Sequence, residues 1–152
     1  NKYSFEEFIE KNGYLIYGFR GVSMNPLLHQ ETDLVTIKKK TEERCKKYDV
    51  VLYKTSPTRY VLHRIIEVRE KDYVILGDNC ITKEYGITDK DIVGVAISFK
   101  RKGKDLSIDN PFYKLYSRIW VNSYPVRMFW RKSIIRRGLS FIKRKVYRKE
   151  NT

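Results

Sequence analysis

Tyr48-Asp49-Val50-Val51-Leu52-Tyr53 and Tyr60-Val61-Leu62-His63-Arg64-Ile65-Ile66-Glu67-Val68, parted by the polar run Lys54 to Arg59, form the stretch whose reading decides the fold. Both flanks are rich in β-branched and aromatic residues, and the break between them contains Ser56-Pro57, so the segment reads as two short strands. Working outward, Tyr14 to Phe19, Asp33 to Ile37, Tyr73 to Leu76 and Asp91 to Phe99 read the same way. Gly, Pro, Asn, Asp or charged clusters separate these runs. Six short strands without crossover helices predict an antiparallel, mostly β domain over residues 1–99.

The ends differ from this middle. Ser4-Phe5-Glu6-Glu7 is a capping-box pattern, with Phe5, Phe8 and Ile9 on one face, and predicts a short helix ending near Asn12-Gly13. Residues 100–109 form the best linker candidate. Beyond them Asn110-Pro111 supplies a cap followed by Pro at the first helical position, and Phe112, Leu115, Tyr116, Ile119 and Trp120 recur at helical spacing. Pro125 should kink or end that helix, with a second helix from about Val126 toward Arg148. Residues 110–152 thus read as a helical extension.

Composition bounds the function. The 152 residues suit one domain with a real core. No apolar run is long enough for a membrane span, and no signal peptide is apparent, so a cytoplasmic location is expected. Cys45 and Cys80 lie in unrelated contexts without metal-ligand spacing, so they are expected to be reduced thiols, and neither a metal nor a cofactor is implied. The net charge of +14 is uneven: residues 1–99 hold 16 Lys/Arg against 15 Asp/Glu, whereas residues 100–152 hold 16 against 3. The basic character belongs to the extension.

Two residues carry candidate chemistry. Ser23 sits in Gly21-Val22-Ser23-Met24-Asn25-Pro26, where Gly21 permits an unusual backbone angle and Pro26 stiffens the loop. A serine hydroxyl needs a base within reach and donors aimed at the developing oxyanion; the Ser23 N–H and the Gly21 backbone are the candidate donors. His63, one of only two histidines, is the candidate base. Each residue alone has an ordinary explanation, Ser23 as a turn former and His63 as a half-buried strand residue beside Val61 and Ile65. His29, in a polar loop, reads as solvent-facing.

Their order along the chain changes this. Ser23-Met24-Asn25-Pro26, Thr32-Asp33-Leu34-Val35, Lys47-Tyr48-Asp49-Val50, Leu62-His63-Arg64-Ile65, Leu76-Gly77-Asp78-Asn79 and Ile92-Val93-Gly94 follow one another in a series that resembles the signal peptidase and repressor-autoprotease superfamily over about residues 14–99. The resemblance implies a coiled antiparallel β-sheet and a serine peptidase with Ser23 as nucleophile. Bacterial signal peptidases and the repressors use lysine as base, and His63 resembles instead the histidine-using branch of the endoplasmic-reticulum and archaeal type. That branch has an acidic residue six positions after the Gly-Asp-Asn aspartate. Here that count reaches Glu84, one methylene longer than the aspartate expected. Asp78 and Glu84 therefore compete to orient His63. Gly21 also departs from the many signal peptidases that carry a side-chain hydroxyl there, so backbone N–H donors must serve.

In the extension, Trp120 and Trp130 lie amid Arg127, Arg131, Lys132, Arg136, Arg137, Lys143 and Arg144. This composition suits an anionic membrane surface, a peptide or protein partner, or simple packing on the β domain. Nucleic acid fits less well, because the aromatics follow helical spacing and no DNA-binding motif precedes the β domain. The expectation is a serine endopeptidase acting on a peptide or protein precursor, such as a leader peptide, in the cytosol or on the inner membrane face. The rival is a non-catalytic binding module of the same fold that holds its partner through the basic helices.

Overall fold

The computed structural model describes residues 4–134 and is mostly one open antiparallel sheet. A helix, α1 (Phe5–Asn12), precedes it; the strands are β1 (Tyr14–Gly18), β2 (Leu34–Lys39), β3 (Val50–Ser56), β4 (Arg59–Val68), β5 (Tyr73–Leu76), β6 (Glu84–Ile87), β7 (Ile92–Arg101) and β8 (Lys104–Ser107). Two helices follow, α2 (Pro111–Asn122) and α3 over residues 124–134. Residues as far as Val121 form one compact unit, and a second begins at Asn122.

The helix starts follow from the residues predicted to cap them. The Glu7 N–H donates to Ser4 Oγ at 3.2 Å while the Ser4 N–H donates to Glu7 Oε2 at 2.9 Å, and α1 ends on Gly13 in the left-handed region at φ 79°. Such a cap is worth about 1 kcal/mol. Asn110 Oδ1 accepts from the N–H groups of Phe112 and Tyr113, starting α2. Pro125 falls in the first turn of α3, where its missing N–H costs no bond; the helix is interrupted just before it, by a turn at Ser123.

The strands run in the order β1-β2-β7-β3-β4-β5-β6, with β8 on β7. Strand β7 is long enough to serve three neighbours: β2 along one edge, and on the other β3 beside Ile92 to Val95 and β8 beside Ser98 to Arg101. Gly94 is required there, since a Cβ would meet Ile37 Cγ2 and the Lys38 carbonyl at 2.6 Å each. Strand β3 buries both faces. Val50 and Leu52 join a core with Ile9, Leu15, Val35, Ile37, Leu62 and Phe99, while Val51 and Tyr53 join another with Ile65, Tyr73 and Ile75. This explains its continuous apolar run in place of strict alternation.

Two expectations need correction. The predicted six strands are eight, because the four-residue β6 and β8 carry only two and one apolar residues and are held by pairing to β5 and β7. The predicted linker 100–109 consequently contains β8, which turns back at Lys102-Gly103, both at positive φ, to pair Arg101 with Lys104.

Candidate active site

The Ser23 loop is fixed from below by its apolar neighbours. Met24, Leu27 and Leu28 are all fully buried in the core, which leaves Ser23 on the rim of a cleft of about 350 Å³ lined also by Tyr17, Arg59, Val61, His63 and Cys80. Gly21 takes φ +92°, as its place before a tight turn predicts, and the Asn25–Pro26 bond is cis. At the far end of the loop the buried Asp33 accepts from the His29 N–H at 2.9 Å and from Thr32 Oγ1 at 3.0 Å. Burial opposes ionisation of Asp33, but these bonds outweigh it and hold its pKa below the ordinary value. His29 itself keeps about half of its side chain exposed, as expected for a polar loop.

His63 enters from β4, opposite Val51 of β3. Its residue exposure is 7%, and both ring nitrogens have neighbours. Nδ1 lies 2.9 Å from Glu84 Oε1 and 3.1 Å from the Tyr53 hydroxyl, whereas Nε2 faces Cys80 Sγ at 3.9 Å. Burial is the largest influence on the imidazole and lowers its pKa below 6.5, against the upward pull of Glu84. This direction favours the neutral ring. With Nδ1–H donating to the Glu84 carboxylate, the lone pair of Nε2 faces the cleft, as a general base requires.

The pieces converge on Gly77. A Cβ there would lie 2.6 Å from Cys80 Sγ, 2.7 Å from the Ser23 carbonyl oxygen and 2.9 Å from His63 Cδ2, so only a glycine admits this approach. The next turn grips the Ser23 loop directly: the Asn79 N–H donates to the Ser23 carbonyl at 2.8 Å, and Asn79 Nδ2 donates to the Val22 carbonyl at 3.1 Å. The Ser23 side chain and its N–H have no hydrogen-bond partner among the described residues. The Gly21 N–H, by contrast, donates to Gln30 Oε1 at 3.0 Å, which corrects its assignment as an oxyanion donor.

Asp78 and Glu84 separate by position. Asp78 is buried and takes two bonds from the fully buried Arg64, Nε to Oδ1 at 2.8 Å and Nη2 to Oδ2 at 2.9 Å, and a third from the Tyr116 hydroxyl at 2.9 Å. Burial acts to lower the Arg64 pKa, but the Asp78 charge outweighs it and raises it above the ordinary value. The remaining Arg64 donor, Nη1, reaches the Tyr48 carbonyl, the Tyr113 hydroxyl and Ser117 Oγ, so β4, the Gly-Asp-Asn turn and α2 are tied through one guanidinium. Asp78 is thus a brace rather than a partner of the imidazole, and Glu84 is the carboxylate in contact with it.

Trp120 does not belong to an exposed binding surface. It donates Nε1–H to the Asp78 carbonyl at 2.9 Å and stacks on Tyr116. The reason is helical phase: Tyr113, Tyr116, Ser117 and Trp120 share the sheet-facing side of α2, whereas Phe112, Leu115 and Ile119 face outward, with Phe112 81% exposed. In α3, Trp130 is 62% exposed, Lys132 is exposed, and Arg127 Nε donates to Ser123 Oγ. Arg131 is half-buried, and Arg136, Arg137, Lys143 and Arg144 lie outside the described residues. No helix among the described residues is long and apolar enough to cross a membrane.

Tyr53 and Cys80 were not among the expected site residues. Tyr53 carries no motif signal in a strand of apolar residues, and Cys80 gave only its place after Gly-Asp-Asn. Both cysteines are free, and burial pushes the Cys45 thiol up to about 11, leaving it inert. Cys45 lines a separate cavity of about 570 Å³, larger than the Ser23 cleft, where the chain from Lys40 to Val50 faces α2. Its lining includes Lys46, Lys47, Lys114 and Arg118 but no histidine. No family model, curated protein or solved structure matches the chain.

Proposed function

We propose that the chain is a serine endopeptidase of the signal peptidase superfamily, histidine-using type, with Ser23 as nucleophile, His63 as base and Glu84 as the carboxylate that orients it. The observation that carries this reading is the meeting of three separate sequence boxes at Gly77, where the Ser23 backbone, His63 and the Gly-Asp-Asn turn pack within the space of one absent methyl. In the reaction His63 Nε2 takes the Ser23 proton as Oγ attacks the scissile carbonyl. The Ser23 N–H donates to the oxyanion, and the imidazolium returns its proton to the leaving amine. Water then hydrolyses the acyl-enzyme by the same steps in reverse roles. Catalytic hydrogen bonds commonly tighten only when substrate binds, so the unbonded Ser23 hydroxyl is consistent with this sequence.

The substrate class is a peptide or protein precursor, such as a leader peptide. The outward Phe112, Leu115 and Ile119 of α2, flanked by the exposed Lys114 and Arg118, support work at an anionic membrane surface.

A second reading has one observation in its favour. Cys80 Sγ, not Ser23 Oγ, is the atom facing His63 Nε2, as a cysteine nucleophile would be. Labelling with a fluorophosphonate for the serine and, separately, with iodoacetamide for the cysteine, followed by mapping of the adducts, separates the two. Adduct on Ser23 that disappears in Ser23→Ala and His63→Ala supports the serine reading, and adduct on Cys80 supports the other. Labelling at neither residue points to the non-catalytic binding module.

A further inference from the structure

Glu84 poses a mechanical problem for the site. It is one methylene longer than an aspartate, it stands on the short edge strand β6, and its side chain is 36% exposed, so a single contact to Nδ1 leaves it free to swing toward water. A carboxylate that leaves Nδ1 releases the imidazole to its other tautomer, with the proton on Nε2, and a protonated Nε2 accepts nothing from Ser23.

Tyr53 meets this problem. It is fully buried on β3, and its hydroxyl is 3.1 Å from Nδ1, the nitrogen that Glu84 Oε1 also touches at 2.9 Å, so hydroxyl and carboxylate flank one atom. A buried O–H must place its one proton. Donation to Nδ1 would turn that nitrogen into an acceptor facing an anionic oxygen at 2.9 Å, two lone pairs in contact. Donation to Glu84 satisfies all three groups: Nδ1–H and the Tyr53 O–H both point at the carboxylate, and Nε2 stays bare. We infer that Tyr53 is a positioning residue of the candidate active site, holding Glu84 against His63 Nδ1 and thereby fixing the tautomer in which Nε2 accepts the Ser23 proton.

This inference rests on the peptidase reading for its consequence, but its geometry is testable without any substrate. The titratable groups around the imidazole are Tyr53 on β3, Arg59 on β4, Glu84 on β6, and Asp78 and Cys80 in the turn after β5. The test is Tyr53→Phe, which keeps the ring and removes only the hydroxyl, with Glu84→Gln and the double variant. NMR titration of His63 and of its Nδ1–H signal is read alongside the fluorophosphonate inactivation rate. Loss of the Tyr53 anchor lets Glu84 move away, so Tyr53→Phe shifts His63 titration to lower pH and weakens the Nδ1–H signal. It also slows inactivation by roughly tenfold, a part of the 10²–10⁴ that a positioned base contributes. The two substitutions are non-additive, Tyr53→Phe having no further effect once Glu84 is Gln. An unchanged or raised His63 titration in a folded Tyr53→Phe variant overturns the inference. If wild type is not labelled at all while the NMR effects appear, the positioning contact stands and the peptidase reading is the part that fails.

Discussion

His63 is useful as a base only while it is neutral, and its surroundings set the pH at which that ends. Burial lowers its pKa below 6.5 and Glu84 pulls the other way without overcoming it. The inactivation rate should therefore fall toward acid with a midpoint below 6.5, where the folded imidazole takes up its proton. Glu84→Gln should move that limb further toward acid. A midpoint above 6.5 in the pH profile of wild type would contradict the assigned environment. Folding follows the same sign: below about 6.5 the unfolded chain binds the proton first, so stability declines as the pH falls. Ser23 and His63 were legible as a pair because a short motif and a rare residue type mark them. The choice between Asp78 and Glu84 was not, since both are carboxylates at plausible positions. Only the placement of Arg64, whose donors saturate Asp78, separates them. Tyr53 was invisible for the opposite reason, its aromatic ring being what a buried strand would carry anyway.

At the level of elements, the site depends on a turn passing very close to a strand and a loop. Gly77→Ala would drive a methyl against the Ser23 carbonyl and His63 Cδ2. It should cost about 1–3 kcal/mol in a urea melt and displace the Ser23 loop from the base. The labelling rate should therefore fall even under conditions where the variant remains folded. Full labelling in a folded Gly77→Ala protein would show that this approach is not needed. Long strands with branched and aromatic residues were readable, as were both capped helix starts, because local chemistry and tertiary packing favour the same structure there. Strands β6 and β8 were not, because neither carries enough apolar residues to announce itself; their partners β5 and β7 impose the pairing. Trp120 was misassigned because composition alone does not give helical phase, and α2 turns that ring inward onto Asp78.

On the scale of the whole molecule, residues 1–99 carry almost no net charge and residues 100–152 carry nearly all of it. Along the sequence, such a division separates the positive charge that would attract an anionic surface from the residues of the candidate site. Vesicles of phosphatidylglycerol should sediment the protein and vesicles of phosphatidylcholine should not, with binding lost as salt rises. Phe112→Ser with Leu115→Ser, at outward positions of α2, should weaken that binding without lowering the melting temperature. Equal binding to both lipids, or none to either, would remove the membrane surface from the account. The central claim concerns the cleft, and it is tested most directly by peptide mapping of the wild-type chain after fluorophosphonate treatment at pH 7.5. The account predicts a single adduct on Ser23 that is lost in His63→Ala; an adduct on Cys80, or none on a folded chain, would contradict it.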